Sequence, residues 1–136
     1  MNILIYGGNG WIGGQFCEYL SHVGIKWYSP NTRVNTLQDV MNDLNNNSET
    51  THIISFIGRT HGKINGKTYS TIDYLEQPGK IKDNVRDNLF VPLIIAEACK
   101  KYSKKNRFVH YTYLGTGCIF NYDKEHEYEK EENGFK

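Results

Sequence analysis

Ile3-Leu4-Ile5-Tyr6-Gly7-Gly8-Asn9-Gly10-Trp11-Ile12-Gly13-Gly14 is the stretch that decides how the rest of the chain reads. Four apolar residues, beginning almost at the first position, run into a glycine-rich turn. A helical pattern follows, with apolar residues at Ile12, Phe16, Leu20 and Val23. A strand, a glycine turn and a helix in that order form an anion cradle. The first amides of a helix have no intrahelical partner, and glycine lets the backbone come close to a phosphate. The spacing through Gly7, Gly10 and Gly13 is G-x-x-G-x-x-G, a relative of the G-x-G-x-x-G dinucleotide fingerprint. The competing reading is a tight turn with a closely packed helix. It accounts for Gly13 and Gly14 equally well, and less well for the crowding of Gly7, Gly8 and Gly10.

Working outward, the first helix is expected from Trp11 to His22, with Gly24 as its C-cap. Ile25 to Tyr28 reads as a short second strand. In a dinucleotide fold the end of that strand faces the adenosine ribose, and an acid there holds the 2′-hydroxyl of NAD. Ser29-Pro30-Asn31-Thr32-Arg33 contains no acid. Arg33 offers a guanidinium, which suits a 2′-phosphate in charge and geometry, so the balance favours NADP(H). The alternative for Arg33 is a solvated loop residue.

Leu37, Val40, Met41 and Leu44 predict a second helix over Thr36 to Asn45, with Thr36 near its N-cap. Thr51 to Ile57 is a nearly continuous apolar run, as in a strand buried on both faces of a parallel sheet. Gly58 to Gly79 reads as a long polar loop in which Arg59, Thr60, His61 and Tyr69 reach a substrate or merely decorate the loop. Ile72 to Glu76 forms a helical turn within it. A long helix is expected from Lys82 to Tyr102, burying Val85, Leu89, Leu93, Ala96 and Cys99, with Pro92 kinking or dividing it. Arg107 to Tyr113 is the last strand, and the charged residues from Asp123 onward read as a solvated tail. The order β-α-β-α-β-α-β gives an α/β class: a Rossmann-type doubly wound parallel sheet.

At 136 residues the chain is one domain, large enough for a core without disulfides. Sixteen basic residues against 15 acidic ones give no electrostatic case for nucleic acid. No apolar run has the length of a membrane span. Cys17, Cys99 and Cys118 are odd in number, widely spaced and without zinc spacing, so no metal site is expected. They suit the reducing cytoplasm.

Four pieces together resemble the extended short-chain dehydrogenase/reductases: Gly7-x-x-Gly10-x-x-Gly13, the strand ending at Phe56-Ile57-Gly58, Asn84-Val85-Arg86-Asp87-Asn88, and Gly115-Thr116-Gly117-Cys118-Ile119-Phe120. Within that family, Trp11-Ile12-Gly13-Gly14 and Thr116 to Asp123 are most similar to the reductases and 3,5-epimerase/4-reductases of deoxysugar nucleotides, such as those that form UDP-rhamnose. The resemblance implies that Gly7, Gly10, Trp11, Ile12 and Gly13 cradle the cofactor and Arg33 holds its 2′-phosphate. Phe56, Ile57 and Gly58 line its path, and Asn88 is the helix asparagine near the active site. Thr116 then matches the hydroxyl that bonds the substrate carbonyl, and Cys118 the thiol that moves protons beside the ketone. A 4-keto group acidifies the protons at C3 and C5, and a thiol titrates at about 8.5, near enough to neutrality for that exchange. For Cys118 the alternative is a buried small hydrophobe, and for Thr116 a local hydroxyl-to-backbone bond. The implied partner is a nucleotide-diphosphate 4-keto-6-deoxysugar, and family members often form homodimers through helices of this domain.

The sequence departs from the family in one respect. None of its ten tyrosines has a lysine four residues on, so the family's Tyr-x-x-x-Lys helix is not within the chain. The expectation is the N-terminal, cofactor-binding part of a longer enzyme, inactive by itself, with the substrate domain absent. Two other readings stay open: a non-catalytic Rossmann module that senses cofactor, and a nucleotide-sugar 4,6-dehydratase. The second ranks lower, because Gly117 and Cys118 stand where a dehydratase carries acids.

Overall fold

Leu4 and Tyr6 point to one side of the first strand and Ile3 and Ile5 to the other, and all four are buried. That double burial is what a central strand of a parallel sheet requires. The computed structural model describes residues 1–115. Its elements are β1 (Asn2–Tyr6), α1 (Trp11–His22), β2 (Lys26–Tyr28), α2 (Leu37–Asn46), β3 (His52–Ser55), β4 (Gly62–Ile64), β5 (Lys67–Tyr69), α3 (Asp73–Glu76), α4 (Ile81–Val85), a π turn (Arg86–Phe90), α5 (Val91–Lys105) and β6 (His110–Tyr113).

The main sheet has the order β2-β1-β3-β6, parallel throughout, with Ile3 opposite Trp27 on one side and His52 on the other. Two apolar clusters cover its faces. Ile3 and Ile5 pack with Cys17 and Leu20 of α1. Leu4, Tyr6 and Ile53 pack with Val40 and Leu44 of α2 and with Val91, Ile95, Ala98 and Tyr102 of α5. The doubly wound α/β reading therefore holds. Among the described residues no helix is long and apolar enough to cross a membrane.

Local signals act as read at both ends of the early helices. Gly24 follows α1 at φ +70°, and the Gly24 and Ile25 amides donate to Ser21 and Leu20 at 3.2 and 2.9 Å, a Schellman closure. Thr36 caps α2 in a capping box with Asp39.

Two expectations are corrected. The polar stretch after Gly58 is not an open loop: β4 and β5 form an antiparallel hairpin. Its two-residue turn is Asn65-Gly66, with φ +48° and +81°, the pair that a type I′ turn demands. The long helix also buries a different stripe. Val85, Leu89 and Leu93 are about half exposed and Ala96 is exposed, while Cys99 is inside as expected, together with Val91, Pro92, Ile95, Ala98 and Tyr102. The cause is the π turn, where the Val91 amide reaches back to the carbonyl of Arg86. One residue is accommodated in excess, and the helix face rotates. Pro92 then sits in the first turn of α5, where a missing amide hydrogen costs little.

Candidate functional site

The chain leaves β1 for β2 on one side of the sheet and then places β3 on the other side of β1. That reversal is a topological switch point, and ligands of open α/β sheets lie in the crevice beyond the strand ends there. A cavity of about 360 Å³ opens at this place. Its walls are the glycine turn after β1, the loop after β2, the loop after β3 and the π turn. Another cavity, of about 300 Å³, lies at the opposite end of the sheet by Asn2, Trp27 and Thr50, away from the glycine turn.

The glycine turn is built by close backbone approach. Gly7 sits at φ +82°, and a Cβ there would lie 2.9 Å from the carbonyl carbon of Phe56. A Cβ on Gly13 would lie 2.2 Å from the carbonyl oxygen of Gly7. Gly8 abuts the side chain of Ser29. The packing reading thus explains more of these glycines than the sequence suggested. It does not compete with the cradle, because the close approach is what brings the turn, β2 and β3 to one crevice. The first turn of α1 has no acidic residue and its N-cap, Gly10, supplies no side-chain cap, so its amides remain available to an anion.

The loop after β2 is tied down from beneath. The Tyr6 hydroxyl donates to Asp43 Oδ2 at 2.9 Å and Thr32 Oγ1 donates to Asp43 Oδ1 at 3.1 Å, while Val34 is buried. Burial, reinforced by the Asp43 carboxylate, holds the Tyr6 phenol far above its ordinary range, so it stays a donor. Arg33 rides on this fixed loop, exposed, lining the cavity and without an ion pair among the described residues.

The loop after β3 is bracketed by Asn88. Its Oδ1 accepts from the Arg59 amide at 2.8 Å, and its Nδ2 donates to the Arg59 carbonyl and to Asn84 Oδ1, both at 3.0 Å. The Arg59 guanidinium meets Asp87 Oδ2 at 2.6 Å, and that carboxylate holds it above its ordinary pKa. Phe56 packs on Phe16 with ring centroids 5.4 Å apart, and Ile57 packs on the α2/α5 core.

Of the residues singled out from the sequence, Gly7, Gly10, Arg33, Phe56, Ile57 and Gly58 line the one cavity. Trp11 and Ile12 stand in the first turn of α1, 82% and 48% exposed and outside the cavity lining. Gly13 is buried beneath the turn, and Asn88 lies behind the Arg59 loop rather than in the lining. Thr60 and His61 are exposed, and Tyr69 donates to Gln77 from the hairpin. Thr116 and Cys118 lie outside the described residues. Cys17 and Cys99 are buried, and burial pushes the Cys99 thiol up to about 12, so both act as small hydrophobes. Sequence reasoning misses Asp43, Arg86 and Asp87. The signal for the last two is their place beside Asn88 in a segment already marked.

These residues fit a dinucleotide phosphate: a cradle with no room for side chains at Gly7 and Gly13, uncapped helix amides, and three cavity arginines against one acid. The protein L780 of Acanthamoeba polyphaga mimivirus is 41% identical over 135 residues, 99% of this chain and 43% of its own length. The crystal structure of the L780 UDP-rhamnose synthase superposes with a TM-score of 0.77 at 42% identity, covering 92% of this chain and 40% of that one. A bifunctional dTDP-4-dehydrorhamnose 3,5-epimerase/dTDP-4-dehydrorhamnose reductase of Arabidopsis thaliana is 30% identical over 125 residues, 92% of this chain and 36% of its own length. A UDP-glucose 4-epimerase of Thermus thermophilus in complex with NAD shares the fold, with a TM-score of 0.55 at 21% identity over 76% of this chain and 35% of that one. The chain thus spans less than half the length of these relatives. The model of the NAD dependent epimerase/dehydratase family matches residues 3–134, and the chain belongs to that family.

Proposed function

We propose that this chain is the NADP(H)-binding part of a nucleotide-sugar 3,5-epimerase/4-keto-reductase that makes a deoxysugar nucleotide such as UDP-rhamnose. The observation that supports the reading most is the likeness to the L780 UDP-rhamnose synthase across 92% of the chain. The preference for the phosphorylated cofactor rests on Arg33, held at the cavity on a loop without an acid. In this reading the glycine turn and the first turn of α1 receive the pyrophosphate, and Phe56 to Gly58 wall the cofactor's path. Asn88 positions that wall by holding the backbone of Arg59. The bound nicotinamide supplies hydride chemistry at the C4 ketone. The Thr116 hydroxyl donates to the keto oxygen, and the Cys118 thiol exchanges protons at C3 and C5. A non-catalytic sensor and a 4,6-dehydratase draw less support: the bifunctional relative matched over 92% of the chain is named for epimerase and reductase activities alone, while a trifunctional relative of Arabidopsis thaliana whose name adds a 4,6-dehydratase is less similar, at 28% identity.

Titration of the folded chain with NADPH, followed by nicotinamide fluorescence and thermal shift, is the first test. Saturable binding is expected, and a folded chain unmoved by millimolar NADPH would sink the reading. In the complete enzyme, Cys118→Ser should suppress deuterium incorporation at C3 or C5 while sparing reduction of an already epimerised substrate. Unchanged exchange removes Cys118 from the mechanism.

A further inference from the structure

Arg86 lies on the π turn, 53 residues away in sequence from Arg33, yet both line the same cavity. Its Nη2 donates to Asn35 Oδ1 at 3.0 Å. Asn35 in turn donates from Nδ2 to the Arg33 carbonyl at 3.0 Å, and its own amide is held by Asp39 Oδ2 at 3.0 Å. Thus the two arginines are joined through one asparagine, across the gap between the loop after β2 and the long helix. On its other side Arg86 Nε is 3.9 Å from Asp87 Oδ1, too long for a hydrogen bond, while Asp87 gives its close contact to Arg59. A guanidinium has five donors, and the hydrogen bonds here engage one, so the rest are available to an oxyanion. The Arg86 side chain is 30% exposed and its hydrogen bond to Asn35 already orients it, which lowers the ordering cost of binding. Paired guanidiniums on separate elements suit a dianionic phosphate monoester, because each presents a planar fork to different oxygens.

We propose that Arg86, oriented by Asn35, is a second specificity-determining residue for the 2′-phosphate of the cofactor, closing on it from the helix side as Arg33 does from the loop side. The proposal rests on the NADP(H) reading of this cavity. Adenosine 2′,5′-bisphosphate and 5′-AMP serve as probes, since they differ only in the 2′-phosphate, present on the first and absent from the second. Their affinities for the chain are measured by isothermal titration calorimetry, with circular dichroism as the check on folding. Arg86→Ala should weaken the 2′,5′-bisphosphate about 10- to 100-fold, the range for one or two charge-assisted hydrogen bonds, and change 5′-AMP by less than about 2-fold. Arg86→Lys should recover only part of the loss, because an ammonium cannot make the fork. Asn35→Ala, which leaves the charge and removes its support, should give a smaller loss of the same selectivity. Equal losses on both nucleotides overturn the assignment, as does an Arg86→Ala chain that keeps the wild-type preference. If the wild-type chain shows no preference for the 2′-phosphate, the NADP(H) reading falls and the Arg86 role falls with it. If Arg33→Ala abolishes the preference while Arg86→Ala spares it, the Arg86 role alone falls.

Discussion

Gly13→Ala tests whether the glycine turn is built by close packing. The added Cβ would lie 2.2 Å from the Gly7 carbonyl oxygen, 2.9 Å from the Gly7 carbonyl carbon and 3.0 Å from the Gly8 Cα. All three are backbone atoms, so no side chain can swing aside. α1 has to move away from β1, or the turn has to open. Overpacking of this kind costs about 1–3 kcal/mol and more when the backbone is the obstacle, so the upper figure applies here. Alanine returns about 1 kcal/mol through its helix propensity. The net loss is about 2 kcal/mol, which lowers Tm by roughly 4–8 °C in a domain of this size. Gly14→Ala is the control. There the nearest atom to the new Cβ is the Gly8 carbonyl oxygen at 3.5 Å, an ordinary contact. Helix propensity then acts alone, and a gain of about 1 kcal/mol is expected. Urea unfolding and a thermal scan of the two variants beside the parent measure both signs. A Gly13→Ala chain as stable as the parent would refute the close-packing argument, and a Gly14→Ala loss equal to that of Gly13→Ala would show that glycine is needed there for another reason.

Other perturbations separate the parts of the site. Tyr6→Phe removes the hydroxyl from Asp43 and leaves a buried carboxylate oxygen without that donor; a loss of about 1–3 kcal/mol in urea unfolding is expected, and no loss would mean Thr32 and water satisfy Asp43 alone. Asn88→Ala should weaken NADPH binding through the freed Arg59 loop while Asn88→Asp, which keeps the acceptor for the Arg59 amide, should be milder; equal affinities for all three chains would refute the bracket role. Asp39 is held below its ordinary pKa by the Asn35 and Thr36 amides and then by the Thr36 hydroxyl. Its contribution is therefore complete above the unfolded carboxylate pKa of about 4 and is lost as pH falls through the lower folded value. In urea midpoints taken against pH, Asp39→Asn should flatten the acid limb, and an unchanged limb would assign that limb to other carboxylates.

Much of the fold is legible in advance because its signals are local. The apolar run before Gly7, the Gly24 closure and the Thr36 cap each act within a few residues, and each element lies where those signals put it. Asn65-Gly66 is equally local, but the residues around it are polar and only partly buried, so no apolar alternation marks the hairpin's strands. The site is legible where one segment carries the feature, as with Gly7 and Arg33. It is illegible where function comes from long-range pairing. Asp43 reaches Tyr6 across 37 residues and Arg86 reaches Asn35 across 51, and no spacing rule encodes such contacts.

The π turn explains why the long helix defeats a regular pattern and also why it belongs to the site. In the regular ladder the amide of residue 92 would bond the Asn88 carbonyl, and proline has no such hydrogen to give. The chain absorbs this by widening one turn, with Val91 bonding Arg86 instead. Widening changes the phase of everything beyond it. The row Val85, Leu89 and Leu93, which would form one stripe in a straight helix, stays about half exposed, and Val91, Ile95 and Cys99 take the core. The same turn sets three consecutive side chains to separate tasks around one cavity. Arg86 reaches the loop after β2, Asp87 holds the Arg59 guanidinium and Asn88 holds the Arg59 backbone. Neighbouring residues in a regular helix diverge by about 100°, which follows from 3.6 residues per turn, and a wider turn brings them closer to one side. The distortion at Pro92 thus supplies the linkage between the loop after β2 and the loop after β3. An alteration that restores a regular helix there should disturb both walls of the cavity together.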